Sequence, residues 1–178
     1  LQPVSPVTSA EAGDRSSEYV DVANTRKATP ENVGGDLAIS SFNVLNYFTD
    51  LGESEAGCKA YVDREGNPVT AKRCDVRGAF SKDAFAKQQQ KIVSAIDTLD
   101  ASVVSLEEIE TASKFGHDRD ASIAALVKAL NERAGYERWA YVPSPSKVPA
   151  SEDVIRLAFI YQKGKVAPVG ESRILMGS

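Results

Sequence analysis

Residues 102–110 read Ser-Val-Val-Ser-Leu-Glu-Glu-Ile-Glu, a hydrophobic segment that runs directly into three carboxylates. The β-branched and apolar residues of a core strand are supplied by Ala101, Val103, Val104 and Leu106. The acids begin where such a strand reaches the edge of its sheet, so we expect them to be rigidly held and to face solvent. A carboxylate in that position suits a hard cation. A solvated strand end is the alternative interpretation of the same acids, Glu107, Glu108 and Glu110.

A second segment has the same form. Residues 37–48 read Leu-Ala-Ile-Ser-Ser-Phe-Asn-Val-Leu-Asn-Tyr-Phe, a short strand that delivers the amide of Asn43 at its exit. Asparagine readily caps strand ends through its own side chain, so Asn43 alone is more simply a turn residue. The combination of Asn43 with Glu108 is what favours a functional site.

The two segments together resemble the endonuclease/exonuclease/phosphatase superfamily, which has the DNase I-like fold, and in particular its secreted bacterial nuclease branch. Residues 41–48 match that branch's Ser-Phe-Asn-Val-Leu-Asn-Tyr-Phe signature without change. Residues 106–111 resemble its Leu-Met-Glu-Ile-Glu-Asn signature, with departures at the second and sixth positions. The resemblance implies that Glu108 is the metal ligand and Asn43 the active-site asparagine. It implies Mg²⁺ as the cofactor, with Ca²⁺ or Mn²⁺ as alternatives.

The resemblance implies an α+β fold, a DNase I-like four-layer α/β/β/α sandwich of which this chain supplies roughly the N-terminal half. The family's Gly-Asp-Phe-Asn-like and Ser-Asp-His-like motifs, which supply the general base, do not occur in the 178 residues. Residues 36–178 are therefore expected to be the N-terminal part of such a domain, catalytically incomplete by itself. The C-terminal half of the same domain is an expected partner, as a second polypeptide. Residues 1–35, rich in Pro, Ser, Thr and Gly, are expected to be a linker or the tail of an upstream module.

Helical periodicity predicts two helices beside the strands. Ser81 is the predicted N-cap of the first, which carries apolar residues at helical spacing along one face. Asp120 is the predicted cap of the second, and Gly135 its stop. Further strands are predicted at 136–142 and 154–161, which gives the order β, α, β, α, β, β.

Arg156 lies on the last of these strands and points to the face opposite Leu157 and Phe159. It either binds substrate phosphate through its planar guanidinium or pairs with an acid on the sheet surface, and both alternatives stay open. We carry Arg156 forward as the candidate substrate-binding residue. His117, the one histidine of the chain, is expected to be a solvent-exposed loop residue.

Cys58 and Cys74 flank a polar insert whose Gly-Asn-Pro centre, residues 66–68, is a turn signal. A disulfide here would close a loop of about 15 residues and contribute roughly 3 kcal/mol. Two free thiols in a cytosolic protein are the alternative. The resemblance to secreted enzymes favours the disulfide and an extracellular location.

The composition, 42% hydrophobic and 26% charged, is ordinary for a folded domain. The longest apolar runs are far below the ~20 residues that span a bilayer, so no membrane partner is expected. The net charge of −4 argues against general electrostatic attraction to nucleic acid. A metal-dependent site offsets phosphate repulsion locally, so this charge does not exclude a nuclease.

The expected function is therefore a divalent-metal-dependent phosphodiester hydrolase, an extracellular nuclease with DNA or RNA as its substrate. A phosphatase or a phospholipid phosphodiesterase on the same fold is the enzymatic alternative, because the metal site does not choose the substrate. A non-catalytic module that retains the fold is the alternative from a different class.

Overall fold

The computed structural model of the chain describes residues 25, 27, 31–32 and 34–175. Contacts divide the chain into two units, residues 1–30 and 31–178, and the described secondary structure belongs to the second. Most of the predicted linker, residues 1–35, lies outside the described residues.

The described residues form a mixed α+β fold, as expected at that level. In chain order the elements are β1 (Ile39–Tyr47), β2 (Lys59–Val62), β3 (Pro68–Lys72), α1 (Lys82–Leu99), β4 (Val103–Glu110), α2 (Ala121–Ala134), β5 (Trp139–Tyr141) and β6 (Ile155–Gln162). Short 3-10 turns lie at Gly52–Ser54 and Ala112–Phe115. None of the helices in the described part of the chain is long and apolar enough to cross a membrane.

Four strands form the main sheet, in the order β1-β4-β6-β5. β1 runs parallel to β4, whereas β6 is antiparallel to both β4 and β5. The parallel pair joins the two segments that the sequence singled out, with Phe42 opposite Leu106 and Asn43 opposite Glu107. The carboxyl ends of β1 and β4 therefore lie side by side.

Both helices pack on one face of this sheet. Alternate strand residues meet the apolar faces of α1 and α2 in one core, which includes Val44, Leu106, Ile160, Ile96 and Leu126. This burial follows from the two periodicities, because alternate residues of a strand and every third or fourth residue of a helix point the same way.

The opposite face of the sheet carries apolar side chains that remain exposed. Ile39 is 79% exposed and Leu157 64% exposed, and Phe159 is also exposed. A sheet face that exposes several large apolar side chains commonly marks an interaction surface. We call it the open face.

The helix ends lie at the three residues that the sequence predicted, and one of them makes no capping hydrogen bond. Ser81 Oγ accepts a hydrogen bond from the Ala84 amide and so caps α1, and Gly135 ends α2 with φ of 76°. Asp120 precedes α2 but its side chain makes no capping hydrogen bond. Asp120 therefore occupies the predicted N-cap position, but its carboxylate binds Arg156 and Ser144 instead of a helix amide.

The insert between the cysteines is ordered, and its predicted turn signal at residues 66–68 lies where the second of two strands begins. It forms the antiparallel β2–β3 hairpin, whose turn is closed by Asp63, the acceptor for the amides of Glu65 and Asn67. The sulfur atoms of Cys58 and Cys74 lie 2.00 Å apart, at disulfide distance, as predicted.

Candidate functional site

The site at the carboxyl ends of β1 and β4 begins with an irregularity in both strands. The register between them shifts after Asn43, and the register between β4 and β6 shifts after Leu106. Leu45, Asn46 and Glu108 adopt positive φ angles of 54°, 55° and 63°. Bulges of this kind re-aim side chains at the ends of strands. The left-handed conformation is unfavourable for residues other than glycine, so the local fold holds these three in place.

The re-aimed Glu108 side chain meets Asn43, the other residue that the sequence singled out. Asn43 Nδ2 donates to Glu108 Oε1 at 2.9 Å, and the backbone amide of Asn46 donates to Glu108 Oε2 at 3.1 Å. Each carboxylate oxygen thus accepts one hydrogen bond and keeps lone-pair capacity for another partner. Glu108 forms no ion pair with a Lys or Arg among the residues that the structure describes. The described residues therefore provide no cationic partner for the Glu108 carboxylate at the ends of these strands.

Asn43 is itself fixed by the turn that follows it. Its Oδ1 accepts the Leu45 amide at 2.7 Å, which is the local capping interaction expected of a turn asparagine. The same side chain therefore serves the turn through Oδ1 and Glu108 through Nδ2. The two interpretations of Asn43 left open by the sequence are compatible, because they use different atoms.

Gln88 of α1 supports the bulge from the other side. Its Nε2 donates to the carbonyl of Leu45 at 2.8 Å and lies 3.3 Å from the carbonyl of Asn46. These carbonyls belong to an edge strand and have no neighbouring strand to bind among the described elements. Gln88 therefore fixes the backbone that positions Glu108, a role that the sequence did not reveal.

A groove of about 930 Å³ borders this site between β1, α1 and the β2–β3 hairpin. Asn43 and Asn46 line it. Its charged lining consists of three cationic and two acidic side chains: Arg77, Lys87, Lys91, Asp63 and Asp83. Arg77 is already paired with Asp153 at 2.8 Å. The groove offers an extended surface next to the carboxylate.

The third acid of the segment behaves differently from the other two. We expected Glu110 to face solvent, but it is fully buried. Its Oε2 accepts hydrogen bonds from the amide of Thr49 at 2.8 Å, from the hydroxyl of Thr49 at 2.9 Å, and from the hydroxyl of Ser122. Burial raises the pKa of Glu110, and the neighbouring Asp50 carboxylate raises it further, although the hydrogen bonds oppose this shift. The prediction was wrong because the strand turns the side chain toward the start of α2.

Arg156 lies opposite Ile109 in the sheet, but its side chain is directed to the start of α2 and not to the pair formed by Glu108 and Asn43. Its Nη2 donates to Asp120 Oδ1 at 2.8 Å and its side chain is only 9% exposed. No hydrogen bond or ion pair joins it to Glu108 or Asn43 in the described structure. It thus forms the acid pair that the sequence offered as one alternative, and its role in substrate binding stays a prediction.

Two other groups of polar residues bear on metal binding. Glu55, Cys58 and Cys74 lie close together, but the two sulfurs are at bonding distance from each other and do not suit a cation. His117 is an exposed loop residue, as expected, and its Nε2 lies 3.1 Å from Asp50 Oδ1.

Comparison with protein-family models, with curated proteins and with solved structures finds no match to this chain. The functional assignment therefore depends on the residues and their geometry.

Proposed function

We propose that the chain belongs to a divalent-metal-dependent phosphodiester hydrolase, a nuclease that acts on DNA or RNA outside the cell. The observation that carries this proposal is the hydrogen bond between Asn43 and Glu108 at the ends of two parallel strands. Two sequence segments 65 residues apart, each resembling a signature of the same enzyme superfamily, meet through the side chains that the resemblance selects. A merely solvated strand end gives no reason for this contact.

The proposed fold is the N-terminal half of a DNase I-like sandwich. Two helices cover one face of the sheet, and the open face carries Ile39, Leu157 and Phe159. One helical layer on one β layer is half of an α/β/β/α arrangement, so a second sheet against the open face would complete it. The Cys58–Cys74 pair supports an extracellular location, because disulfides persist in oxidising compartments.

Glu108 is the residue that would hold the metal. Mg²⁺ is commonly bound through one or two carboxylates, and water and substrate phosphate complete its coordination. When bound, it stabilises the negative charge that develops on the phosphoryl group. The lone pairs that Glu108 keeps beyond its bonds to Asn43 and the Asn46 amide fit this requirement.

Asn43 would orient Glu108. Because its amide is uncharged, it would add no negative charge to that of the carboxylate. An amide donor that fixes the carboxylate through Nδ2 prevents it from rotating when a cation or a phosphate approaches. The second hydrogen of Nδ2 is suited to a phosphoryl oxygen. Lys87 and Lys91 line the adjacent groove, together with Asp63 and Asp83, and would provide local cationic contacts for the phosphates of a nucleic acid there.

The test compares Glu108→Gln with Glu107→Gln. Both remove one carboxylate from the same strand end, but Glu107 bonds to Ser41 and not to Asn43. We expect Glu108→Gln to abolish Mn²⁺ and Mg²⁺ binding by calorimetry, and to abolish metal-dependent cleavage of a fluorogenic oligonucleotide by the full-length protein. Glu107→Gln should retain both.

A folded Glu108→Gln variant with full activity at saturating Mg²⁺ would contradict the assignment. Cleavage of a phosphomonoester or a phospholipid, with no cleavage of oligonucleotides, would agree with the metal site but not with a nuclease. The function would then be that of a phosphatase or a phospholipid phosphodiesterase. Metal binding without cleavage of any phosphoester would favour the non-catalytic module.

A further inference from the structure

The groove between β1, α1 and the β2–β3 hairpin connects the candidate site with a longer surface. Its lining includes Asn43 and Asn46, which both bind Glu108. Along α1 the lining extends from Ala84 to Ala95, a distance of about 16 Å at the rise of an α-helix. A few nucleotides span that distance, because stacked bases follow one another at about 3.4 Å.

Apolar side chains form much of the lining and remain accessible in part. Leu45 is 74% exposed and Val69 is 42% exposed. In a duplex the bases are paired and stacked, so most contacts of a protein with it are made to phosphate and sugar. Unpaired bases present free, apolar faces that pack against side chains. Leu45 and Val69 therefore suit an unpaired strand better than the outside of a duplex.

The uncompensated charge of the lining is positive. Lys87 and Lys91 are exposed, lie one turn apart on α1, and form no ion pair among the described residues. The two acids of the lining are stabilised by the backbone. Asp63 accepts two amides of the hairpin turn at 3.0 and 2.8 Å, and Asp83 lies in the first turn of α1, where the helix dipole favours a negative charge. The two lysines are thus available to an incoming phosphate.

Asn46 supplies a polar group where the groove meets the site. Its backbone is engaged, since its amide donates to Glu108 and its carbonyl accepts from Gln88. Its side-chain amide forms no hydrogen bond within the described structure and lines the groove. A free amide offers both a donor and an acceptor, which suits a base edge or a phosphate oxygen.

We propose that this groove binds unpaired nucleotides, so that the protein favours single-stranded over double-stranded nucleic acid. Lys87 and Lys91 contact phosphates, Leu45 and Val69 contact the faces of bases, and the Asn46 amide binds the nucleotide next to Glu108. The inference rests on the proposed nuclease function and adds to it the strand form of the substrate.

The test measures binding of fluorescein-labelled oligonucleotides of about 10 nucleotides to the 178-residue chain, by fluorescence anisotropy in the presence of a chelator. The probes are a single-stranded DNA, the RNA of the same sequence and the corresponding DNA duplex. We expect at least one of the two single strands to bind at least ~5-fold more tightly than the duplex. The chelator removes divalent ions, so this result does not depend on a metal at Glu108.

Variants identify the surface that binds. Lys87→Gln/Lys91→Gln should weaken single-strand binding at least ~5-fold and lower the slope of log affinity against log salt by about 1.4, the value for two lost phosphate contacts. The matched control is Lys128→Gln/Lys163→Gln, whose lysines pair with glutamates outside the groove; it should bind as the parent does. Val69→Ser should weaken binding by about 3-fold without changing the salt slope, because it removes an apolar contact only.

Equal or tighter binding of the duplex would overturn the inference. Parental affinity and salt slope in a folded Lys87→Gln/Lys91→Gln variant would overturn it as well. An equal loss in the control variant would also do so, because it would indicate long-range attraction rather than contact in the groove. The proposed metal site is tested separately, by Mg²⁺ binding to Glu108→Gln without nucleic acid, so either proposal can fail while the other holds.

Discussion

Removal of the Cys58–Cys74 link should lower the stability of the whole domain. The two cysteines lie just outside the paired ends of the hairpin, where Lys59 is opposite Lys72, and their sequence separation is 16. For a loop of this size the chain-entropy estimate is roughly 3 kcal/mol. The loss should appear in the global transition, because the hairpin is anchored to the domain by hydrogen bonds from Ala71 and from Phe80.

The perturbation is the double variant Cys58→Ser/Cys74→Ser, compared with the oxidised parent in urea and thermal unfolding. A loss of roughly 3 kcal/mol corresponds to a fall in melting temperature of about 6–12 °C for a domain of this size. Alkylation without reductant, followed by mass measurement, should modify no thiol in the parent. Mg²⁺ binding at Glu108 should persist in the variant, because β1, β4 and Gln88 hold that site.

Two alkylated cysteines in parent protein purified under oxidising conditions would refute the link and weaken the extracellular assignment. An unchanged midpoint in the double variant would refute the entropic reasoning even if the link forms. Loss of Mg²⁺ binding in a folded double variant would show that the hairpin contributes to the site.

Burial raises the pKa of Glu110, so in chelator the folded state binds a proton more tightly than the unfolded state does. The stability that comes from this tighter proton binding is complete below the ordinary carboxyl pKa. It is lost as the pH rises through the pKa of the folded state. Glu110→Gln should therefore gain stability relative to the parent as pH is raised from about 4 to 8, measured by thermal unfolding; a constant difference would contradict this. Gln88→Glu, which replaces a donor to the Leu45 carbonyl by a carboxylate, should lower the unfolding free energy by about 1–3 kcal/mol and weaken Mg²⁺ binding, measured by urea unfolding and calorimetry. Leu157→Lys/Phe159→Lys on the open face should reduce self-association of the chain and binding of a separately expressed C-terminal half in sedimentation experiments; unchanged sedimentation would contradict the half-domain interpretation.

The parts of the fold that follow local rules could be predicted from the sequence. Ser81 caps α1 and Gly135 ends α2 because capping depends on a few adjacent residues. The hairpin between the cysteines was missed because its strands are short and polar. Their pairing is set by a turn and by packing against the domain rather than by a hydrophobic pattern.

The site residues could be selected from the sequence, and their roles stay predictions, but the geometry in which they meet could not be predicted. Asn43 and Glu108 were selected by motif, and they do meet. The burial of Glu110 was not foreseeable, because strand alternation places it on the same face as Glu108 and only the bulge separates them. The Asp120–Arg156 pair depends on a contact between α2 and β6 that no local pattern encodes.

The positive φ of Glu108 makes this position a place where the proposed function and the stability of the fold oppose each other. A residue with a β-carbon at 63° is less stable than glycine there by about 1–2 kcal/mol. If Glu108 has the proposed role, a protein that kept the fold without the chemistry would gain stability from glycine or asparagine at position 108. Under the same proposal, relatives that retain the activity should retain glutamate there.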